Sequence, residues 1–344
     1  MKFYDKDFNP TVGYTRWQLF LERNPLCKSA LTDVNVLLVF LRDFVNMHTN
    51  GVLPEYIDTA LKTGIDFIML EDPHNYPAIP EFVKDIPIKT FLLHNDFTID
   101  NQVEAHRLYW PVWLFFVQDK SEQTPDIKST YPLSCANRNI CYRPGKIYNY
   151  QTLKNKTYFD KILFTKFKTE SKLDCHWPRP SDAEFEEIFN KLAIDYETWP
   201  LIDNDLFEGM AAVNLPVYTN SLFHMVAESG VKENLISEKT YKIFHVKQIP
   251  ILCGARNTMA HLQSIGFDIF DDIIDHYAYD SIEDFKRRID AMQNTAETIF
   301  NLDHEKLISE TLQRRIQNYT WLHSQELTDQ LVNPIVARLI TELA

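Results

Sequence analysis

Glycine is scarce in this sequence, with 8 residues among 344, and the glycine-rich phosphate-binding motifs are absent. There is no G-x-G-x-x-G and no P-loop, which excludes the common dinucleotide-binding fingerprint and the P-loop NTPases. The H-E-x-x-H pattern of zinc metalloproteases is missing as well. No internal repeat is present, so solenoid and propeller architectures are also excluded.

Cysteine and long hydrophobic runs are equally sparse. The 5 cysteines form no C-x-x-C pair, so we interpret them as reduced thiols and expect neither a disulfide framework nor a zinc site. The longest apolar runs, at 36–41 and 112–117, are far too short to span a membrane, and the N-terminal segment lacks a signal-peptide pattern. We therefore predict a cytoplasmic protein with no membrane partner. The sequence does not indicate its oligomeric state.

Charge is distributed unevenly along the chain, whose net charge is −13. Residues 135–180, called the basic segment below, carry 10 Lys and Arg against 3 Asp and Glu. Residues 1–134 carry 12 against 18, and residues 181–344 carry 13 against 27. The basic segment is either a solvated surface or a region that attracts a nucleotide diphosphate or an anionic acceptor. The overall acidity argues against general nucleic-acid binding.

Predicted strands alternate with helices in the first part of the chain, and polar residues follow the strands. Strands are predicted at 33–41, 65–70 and 88–93, with a helix at 54–62. The continuous Val and Leu run of the first strand favours a parallel sheet, where ligands lie at the carboxyl ends of the strands. For each aspartate at these ends, a role as N-cap or turn residue is the alternative. The candidates are Asp43, Glu71, Asp72, His94 and Asp96.

Residues 221–254 have the pattern strand, loop, helix, strand. The first apolar run ends at Glu228, and Ser237 occupies the position of a helix N-cap. Glu238 and Lys239 follow it, and a second buried-type strand is predicted at 249–253. A helix start leaves backbone N–H groups unpaired, which suits an anion such as a diphosphate. A carboxylate there can accept hydrogen bonds from ribose hydroxyls, and a lysine can neutralise phosphate.

A second block lies at 134–153, where Asn137 ends a strand and Arg143 opens a helix. Residues 221–254 contain a Glu-Ser strand end, an S-E-K helix start and a Pro-Ile strand. These features and the block at 134–153 together resemble the donor-binding half of the α-1,3-fucosyltransferases and of related bacterial and viral glycosyltransferases. The resemblance covers about residues 134–280. It implies an α/β, GT-B-like fold of two Rossmann-like domains facing across a cleft.

The resemblance also implies a domain division and an activity. We expect an acceptor-side domain at 1–130, a nucleotide-sugar-binding domain at 131–320, and a C-terminal helix at 321–344 that crosses back to the first domain. The activity that the resemblance implies is metal-independent, inverting transfer of a hexose or pentose from a nucleotide-diphosphate sugar to an acceptor hydroxyl, without a cofactor. The alternative is a catalytically silent nucleotide-sugar-binding or scaffold protein on the same fold.

The acceptor has two interpretations. It is a glycan or small glycoside, as is usual for the family, or a hydroxymethylated base such as 5-hydroxymethylcytosine in viral DNA. In the second case the enzyme acts in the host cytoplasm, and Lys154, Lys156 and Lys161 of the basic segment are expected to contact the DNA.

Site residues follow from the two blocks. Arg143 and Lys239 are expected to serve the diphosphate, Glu238 to hold donor hydroxyls, and Glu228 and Ser237 to line the same pocket. Asn137 and Lys146 complete the predicted donor site.

The general base is expected from the first domain, in the order of preference Asp96, Asp72, Glu71, Asp43. The short acidic segments at 203–205 and 271–272 are interpreted as surface or capping residues. We do not interpret them as the metal-binding D-x-D motif of the other main glycosyltransferase fold.

Overall fold

The computed structural model describes residues 2–10, 33–72, 80–94, 97, 107–109, 111, 114, 117–118, 127, 131–137, 144–166, 216–228 and 234–343. The chain divides into two compact units. The first consists of Met1–Asp119 together with Ser324–Ala344, and the second of Lys120–His323. The boundaries predicted from the sequence were 130/131 and 320/321.

The first unit contains, in its described part, a five-stranded parallel sheet in the order β1-β2-β3-β4-β5. Its inner strands carry fully buried apolar residues such as Leu37, Ile68 and Phe91, as expected for a parallel sheet covered on both faces. The strands are β1 (Lys2–Tyr4), β2 (Asn35–Phe40), β3 (Phe67–Asp72), β4 (Lys89–His94) and β5 (Arg107–Tyr109).

Two helices and a 3-10 turn pack against this sheet. Helix α1 (Leu41–Thr49) follows β2 without a loop, helix α2 (Leu53–Lys62) precedes β3, and the turn spans Glu81–Asp85. Phe44 and Ile57 pack from these helices into the core. Gly64 beyond α2 has φ +75°, a left-handed conformation that glycine adopts at little cost. The helix end predicted there is confirmed.

The second unit contains, among the described residues, a four-stranded parallel sheet in the order β7-β6-β8-β9. Every residue of β8 is buried. Pro250 lies in the edge strand β9, where its missing N–H costs no ladder bond on the open side. The strands are β6 (Tyr131–Asn137), β7 (Ile162–Lys166), β8 (Ser221–Ala227) and β9 (Ile249–Cys253).

Helices of the second unit cover this sheet, and their apolar residues form one core with the strands. Phe223 and Ile251 from the sheet meet Tyr279, Ile289 and Met292 in that core. The helices are α3 (Pro144–Leu153), α4 (Pro216–Thr219), α5 (Glu238–His245), α6 (Thr258–Ser264), α7 (Phe285–Thr298), α8 (His304–Glu310) and α9 (Leu312–Leu322), with 3-10 turns at Phe159–Lys161, His276–Ala278 and Ile299–Asn301.

Two local predictions in the second unit are wrong. From its sequence pattern, the segment 281–292 is predicted as a helix with Ser281 as its cap. In the structure the helix begins only at Phe285, because Asp284 is the N-cap and its carboxylate accepts a hydrogen bond from Arg287 N at 2.8 Å. The apolar segment 267–270 is predicted as a short strand, but it has no regular secondary structure: Asp268 accepts a bond from Phe270 N at 2.9 Å and Phe270 has φ +60°.

The C-terminal helix α10 (Gln325–Leu343) belongs to the first unit. Gln118 donates to Thr328 Oγ1 at 3.2 Å, and Lys89 pairs with Glu342 at 2.7 Å. Proline lacks the backbone N–H of a helix interior, so the sequence predicts a break near Pro334, but the helix continues through it. The neighbouring Val336 is fully buried, so packing offsets the hydrogen bond that proline removes.

None of the helices in the described ranges is long and apolar enough to cross a membrane. The predicted α/β class is confirmed.

Candidate functional site

The strand order of the second unit creates a topological switch point between β6 and β8. Strand β6 is followed by β7 on one side, and the next strand of the chain, β8, lies on its other side. All the pairings are parallel, so the carboxyl ends of β6 and β8 lie side by side. Ligands of open α/β sheets bind at this place. Asn137 ends β6, and Glu228 directly follows β8, so the two predicted blocks meet there.

Two helices begin at this edge of the sheet. Helix α3 follows β6 and carries Lys146 in its first turn, and helix α5 follows β8 and carries Glu238 and Lys239 in its first turn. Lys146 lies near enough to Glu238 to lower the pKa of that carboxyl. The start of α3 and the start of α5 therefore face a common point.

Three lysines, Lys146, Lys239 and Lys242, lie near Glu238. We call these four residues the Glu238 cluster, in which Lys239 is partly exposed and the other three are buried. The relative exposure is 2% for Lys146, 6% for Glu238 and 3% for Lys242. Burial by itself raises the pKa of Glu238. The nearby ammonium groups of Lys239, Lys242 and Lys146 lower it by more, so the pKa falls to about 2. Lys239 has the largest effect among them, because its Nζ lies 2.7 Å from Glu238 Oε1. The carboxyl is therefore ionised at neutral pH, and lysines outnumber it in the cluster. Such a group suits an anionic ligand.

Glu228 is fully buried and is bound to the start of α5. Its Oε1 accepts hydrogen bonds from Ser237 N at 2.9 Å and Thr240 Oγ1 at 2.5 Å, and its Oε2 accepts one from Ser237 Oγ at 2.6 Å. The sequence predicted that Glu228 lines the donor pocket. In the structure both of its oxygens are occupied by the helix start.

Ser237 is the N-cap of α5, as predicted. Its backbone is extended (φ −90°, ψ 175°), and its hydroxyl oxygen accepts a bond from Lys239 N at 3.3 Å. The Lys239 ammonium lies 3.4 Å from the same oxygen. Ser237 thus links Glu228 to Lys239.

Lys242 and Tyr218 were missed by the sequence prediction. The Lys242 ammonium lies 5.7 Å from the centroid of the Tyr218 ring, which stacks on His224 with centroids 5.3 Å apart. The spacing of Lys242 three residues after Lys239 was an available signal, because residues at i and i+3 are neighbours on a helix. Tyr218 had no such signal, since tertiary packing brings it there.

A buried polar chain lies along the strands that lead to the site. Gln248 donates to Ser221 Oγ at 2.8 Å, Ser221 Oγ donates to Ser134 Oγ at 2.6 Å, and Ser134 Oγ is 2.7 Å from His224 Nδ1. Ser134 and His224 are both fully buried. We therefore assign this serine–histidine contact to holding β6 against β8, not to nucleophilic catalysis.

The other predicted site residues have varied placements. Glu71 and Asp72 end β3, and His94 ends β4. Asp43 lies in the first turn of α1, with Arg42 Nε at 3.8 Å. Arg143 and Asp96 lie outside the described residues, and for Asn137, Glu71 and Asp72 the structure describes the backbone only. Within the described ranges, no group of three or more His, Cys, Asp or Glu is placed to hold a metal ion.

Comparison with known proteins finds similarity in structure only. No family model and no curated protein matches the chain. One similar solved structure is a DNA-modifying β-glucosyltransferase, studied with and without uridine diphosphoglucose; the TM-score is 0.43 and the identity 10%, over 92% of this chain and 84% of that one. Another is an α1,3-fucosyltransferase, with a TM-score of 0.34 and 10% identity over 87% of this chain and 95% of the other. Both of these similar structures are of glycosyltransferases.

Proposed function

We propose that this protein is a glycosyltransferase that moves a sugar from a nucleotide-diphosphate donor to an acceptor hydroxyl. The observation that carries the proposal is the Glu238 cluster at the switch point between β6 and β8. Its lysines can neutralise a diphosphate and stabilise the charge that develops when the diphosphate leaves. Glu238, ionised among them, can accept hydrogen bonds from hydroxyls of the donor.

The direct test is binding of diphosphates. We expect inorganic pyrophosphate, UDP and GDP to raise the melting temperature, because a ligand that binds only the folded state stabilises it. Lys239→Ala should lower pyrophosphate affinity and cut turnover by about 10²–10³-fold, the typical cost of one group that stabilises a developing charge. Lys306→Ala is the control, since Lys306 is an exposed lysine of α8 paired with Glu310. Turnover near the wild-type value in folded Lys239→Ala protein would contradict the proposal.

Transfer itself separates the enzyme from a silent binding protein on the same fold. The assay offers labelled nucleotide sugars with free glycans and with duplex DNA that contains 5-hydroxymethylcytosine. Label on either acceptor supports the transferase and identifies its acceptor. Diphosphate binding without transfer to any acceptor and without hydrolysis of the donor would support the silent protein instead.

We further propose that transfer requires no metal ion, because the lysines of the Glu238 cluster, together with Arg143, can supply the positive charge that a bound Mg²⁺ would otherwise provide. Activity should survive EDTA. Loss of activity in the chelator that Mn²⁺ or Mg²⁺ restores would overturn this part of the mechanism.

The general base is proposed among the strand-end carboxylates of the first unit, with Asp96, Asp72 and Glu71 ahead of Asp43. Asp43 ranks last because it lies in the first turn of α1. The helix dipole stabilises an acidic residue at this position, so its presence there needs no catalytic role. Asp96→Asn, Asp72→Asn and Glu71→Gln are to be compared one by one. The variant that removes the base should lose about 10²–10⁴-fold in kcat and keep its affinity for pyrophosphate. Wild-type kcat in all three variants would exclude these three carboxylates as the base.

A further inference from the structure

Glu228 is a buried carboxylate that joins a strand to a helix at the proposed site. Its backbone N–H donates to Cys253 O at 2.8 Å, which anchors it to the end of β9. Its side chain, fully buried, accepts the three hydrogen bonds from Ser237 and Thr240 described above. A buried charge is costly unless it is hydrogen-bonded, and these bonds together with the N-terminus of α5 meet that cost.

The bonds have a fixed direction. A backbone N–H can only donate, so the oxygen of Glu228 that faces Ser237 N must accept. The single proton of the Ser237 hydroxyl is given to Glu228 at 2.6 Å. Both lone pairs of that hydroxyl oxygen therefore face the other way, where Lys239 N lies at 3.3 Å and Lys239 Nζ at 3.4 Å.

We propose that Glu228 is a positioning residue, which acts on the donor through Ser237 and Lys239 and does not touch it. By orienting the Ser237 hydroxyl as an acceptor, Glu228 fixes the Lys239 ammonium beside Glu238 at the switch point. Thr240, one residue further along α5, holds the same turn of the helix against the strand end. This inference rests on the proposed function, because the positioned lysine is the group that meets the diphosphate.

Glu228→Gln tests the direction of the bonds with little change in shape. The amide of glutamine has one oxygen and one NH₂ group. If the amide oxygen stays opposite Ser237 N, the NH₂ group donates to Ser237 Oγ. That hydrogen bond uses a lone pair of Ser237 Oγ that otherwise accepts from Lys239. If the amide is reversed, two donors meet at Ser237 N, and a buried donor is left unsatisfied.

Titration with inorganic pyrophosphate measures the effect. We expect Glu228→Gln to lower pyrophosphate affinity by about tenfold or more, the effect of one disturbed hydrogen bond to a charged group. Glu228→Asp, which retains the charge, should recover part of the loss. Thr240→Val removes one hydroxyl without changing size and should cost about threefold, an amount of the order of one lost hydrogen bond.

Asp280→Asn is the matched control. Asp280 is another buried carboxylate that holds a helix start, since it accepts bonds from Met259 N at 3.1 Å and Ala260 N at 3.0 Å at the beginning of α6. Asp280→Asn and Glu228→Gln should both lower the melting temperature, but Asp280→Asn should leave pyrophosphate affinity within about twofold.

The outcomes are distinct. Weaker binding in the folded Glu228 and Thr240 variants, with binding retained in Asp280→Asn, supports positioning. Unchanged affinity in folded Glu228→Gln, or in Thr240→Val if Glu228→Gln does not fold, overturns it. An equal loss of pyrophosphate affinity in Asp280→Asn would show that lower stability alone weakens binding, and this result would also overturn the positioning role of Glu228. Wild-type protein that binds no diphosphate would overturn the proposed function, and this inference with it.

Discussion

At the residue scale, Gly266 illustrates how one position combines backbone and packing requirements. It ends α6 with φ +98°, and a Cβ added there would lie 2.8–2.9 Å from atoms of the Trp321 ring. Trp321 is itself held, because its Nε1 donates to Ile265 O at 2.9 Å. The indole therefore cannot give way without losing that bond, and glycine is required for two independent reasons.

We expect Gly266→Ala to destabilise the protein by about 2–4 kcal/mol, as the sum of a left-handed backbone penalty and an overpacked contact. Gly51→Ala is the matched control. Gly51 has φ +73°, and no described atom lies within 4 Å of a Cβ added there, so only the left-handed backbone penalty of about 1–2 kcal/mol applies. Denaturant unfolding of the two variants measures the difference. Equal losses would show that the Trp321 contact contributes nothing.

At the element scale, helix α3 separates two groups of lysines in the basic segment. Its first turn, with Lys146, lies at the carboxyl edge of the sheet, and β7 begins at the opposite edge soon after the helix ends. Lys154, Lys156 and Lys161 belong to this opposite edge. Lys156 bonds Asn294 there at 2.6 Å, and Lys161 lies 6.0 Å from the Phe300 ring centroid. These are the lysines that were expected to contact a DNA acceptor, and they lie away from the Glu238 cluster.

Combined replacement of Lys154, Lys156 and Lys161 by glutamine should therefore leave pyrophosphate affinity within about twofold. A helix of ten residues is about 15 Å long, and exposed charges are largely screened beyond about 8 Å at physiological salt. Titration at 0.15 M salt checks this, with Lys239→Ala as the positive control for loss. A tenfold loss in the triple variant would mean that these lysines act at the site after all.

At the scale of the whole molecule, several histidines are buried as neutral groups in an acidic chain. Burial lowers the pKa of His261 to about 4, and burial also lowers the pKa of His276 to about 4, although its bond to Ile269 O at 2.7 Å opposes this. The unfolded chain takes up protons near pH 6.5 and the folded chain only near pH 4. The stability that the neutral histidines contribute is therefore complete above pH 6.5 and is lost as the pH falls towards 4.

We expect the denaturant midpoint to fall between pH 6.5 and 4, with each such histidine contributing up to about 1.4 kcal/mol per pH unit. His261→Gln should show a shallower fall over this range. Above pH 7 the variant and the wild type should differ by a constant amount. A pH profile of His261→Gln that parallels the wild type throughout would contradict the assignment to His261.

The sequence by itself determined the features that depend on near neighbours. The apolar run at 249–253 became β9 with the predicted bounds, Ser237 became the N-cap of α5, and Gly64 and Gly266 end helices through positive φ angles. Hydrophobic runs, caps and glycine conformations are set within a few residues, which is why the α/β class could be predicted. The S-E-K pattern located the start of α5 for the same reason.

The tertiary structure alone decided which residues meet. The segment 267–270 is predicted as a strand but has no regular secondary structure. Asn318, fifty residues away, accepts a hydrogen bond from Asp268 N at 2.8 Å and donates one to Asp268 O at 2.7 Å. The place of Lys146 near Glu238 follows from the order of the strands. The hydrogen bonds between Glu228 and Ser237 form only when β8 and α5 are packed together. These contacts join segments that are distant in sequence. A local sequence pattern does not predict them, because they stabilise the protein only after the strands have assembled into the sheet.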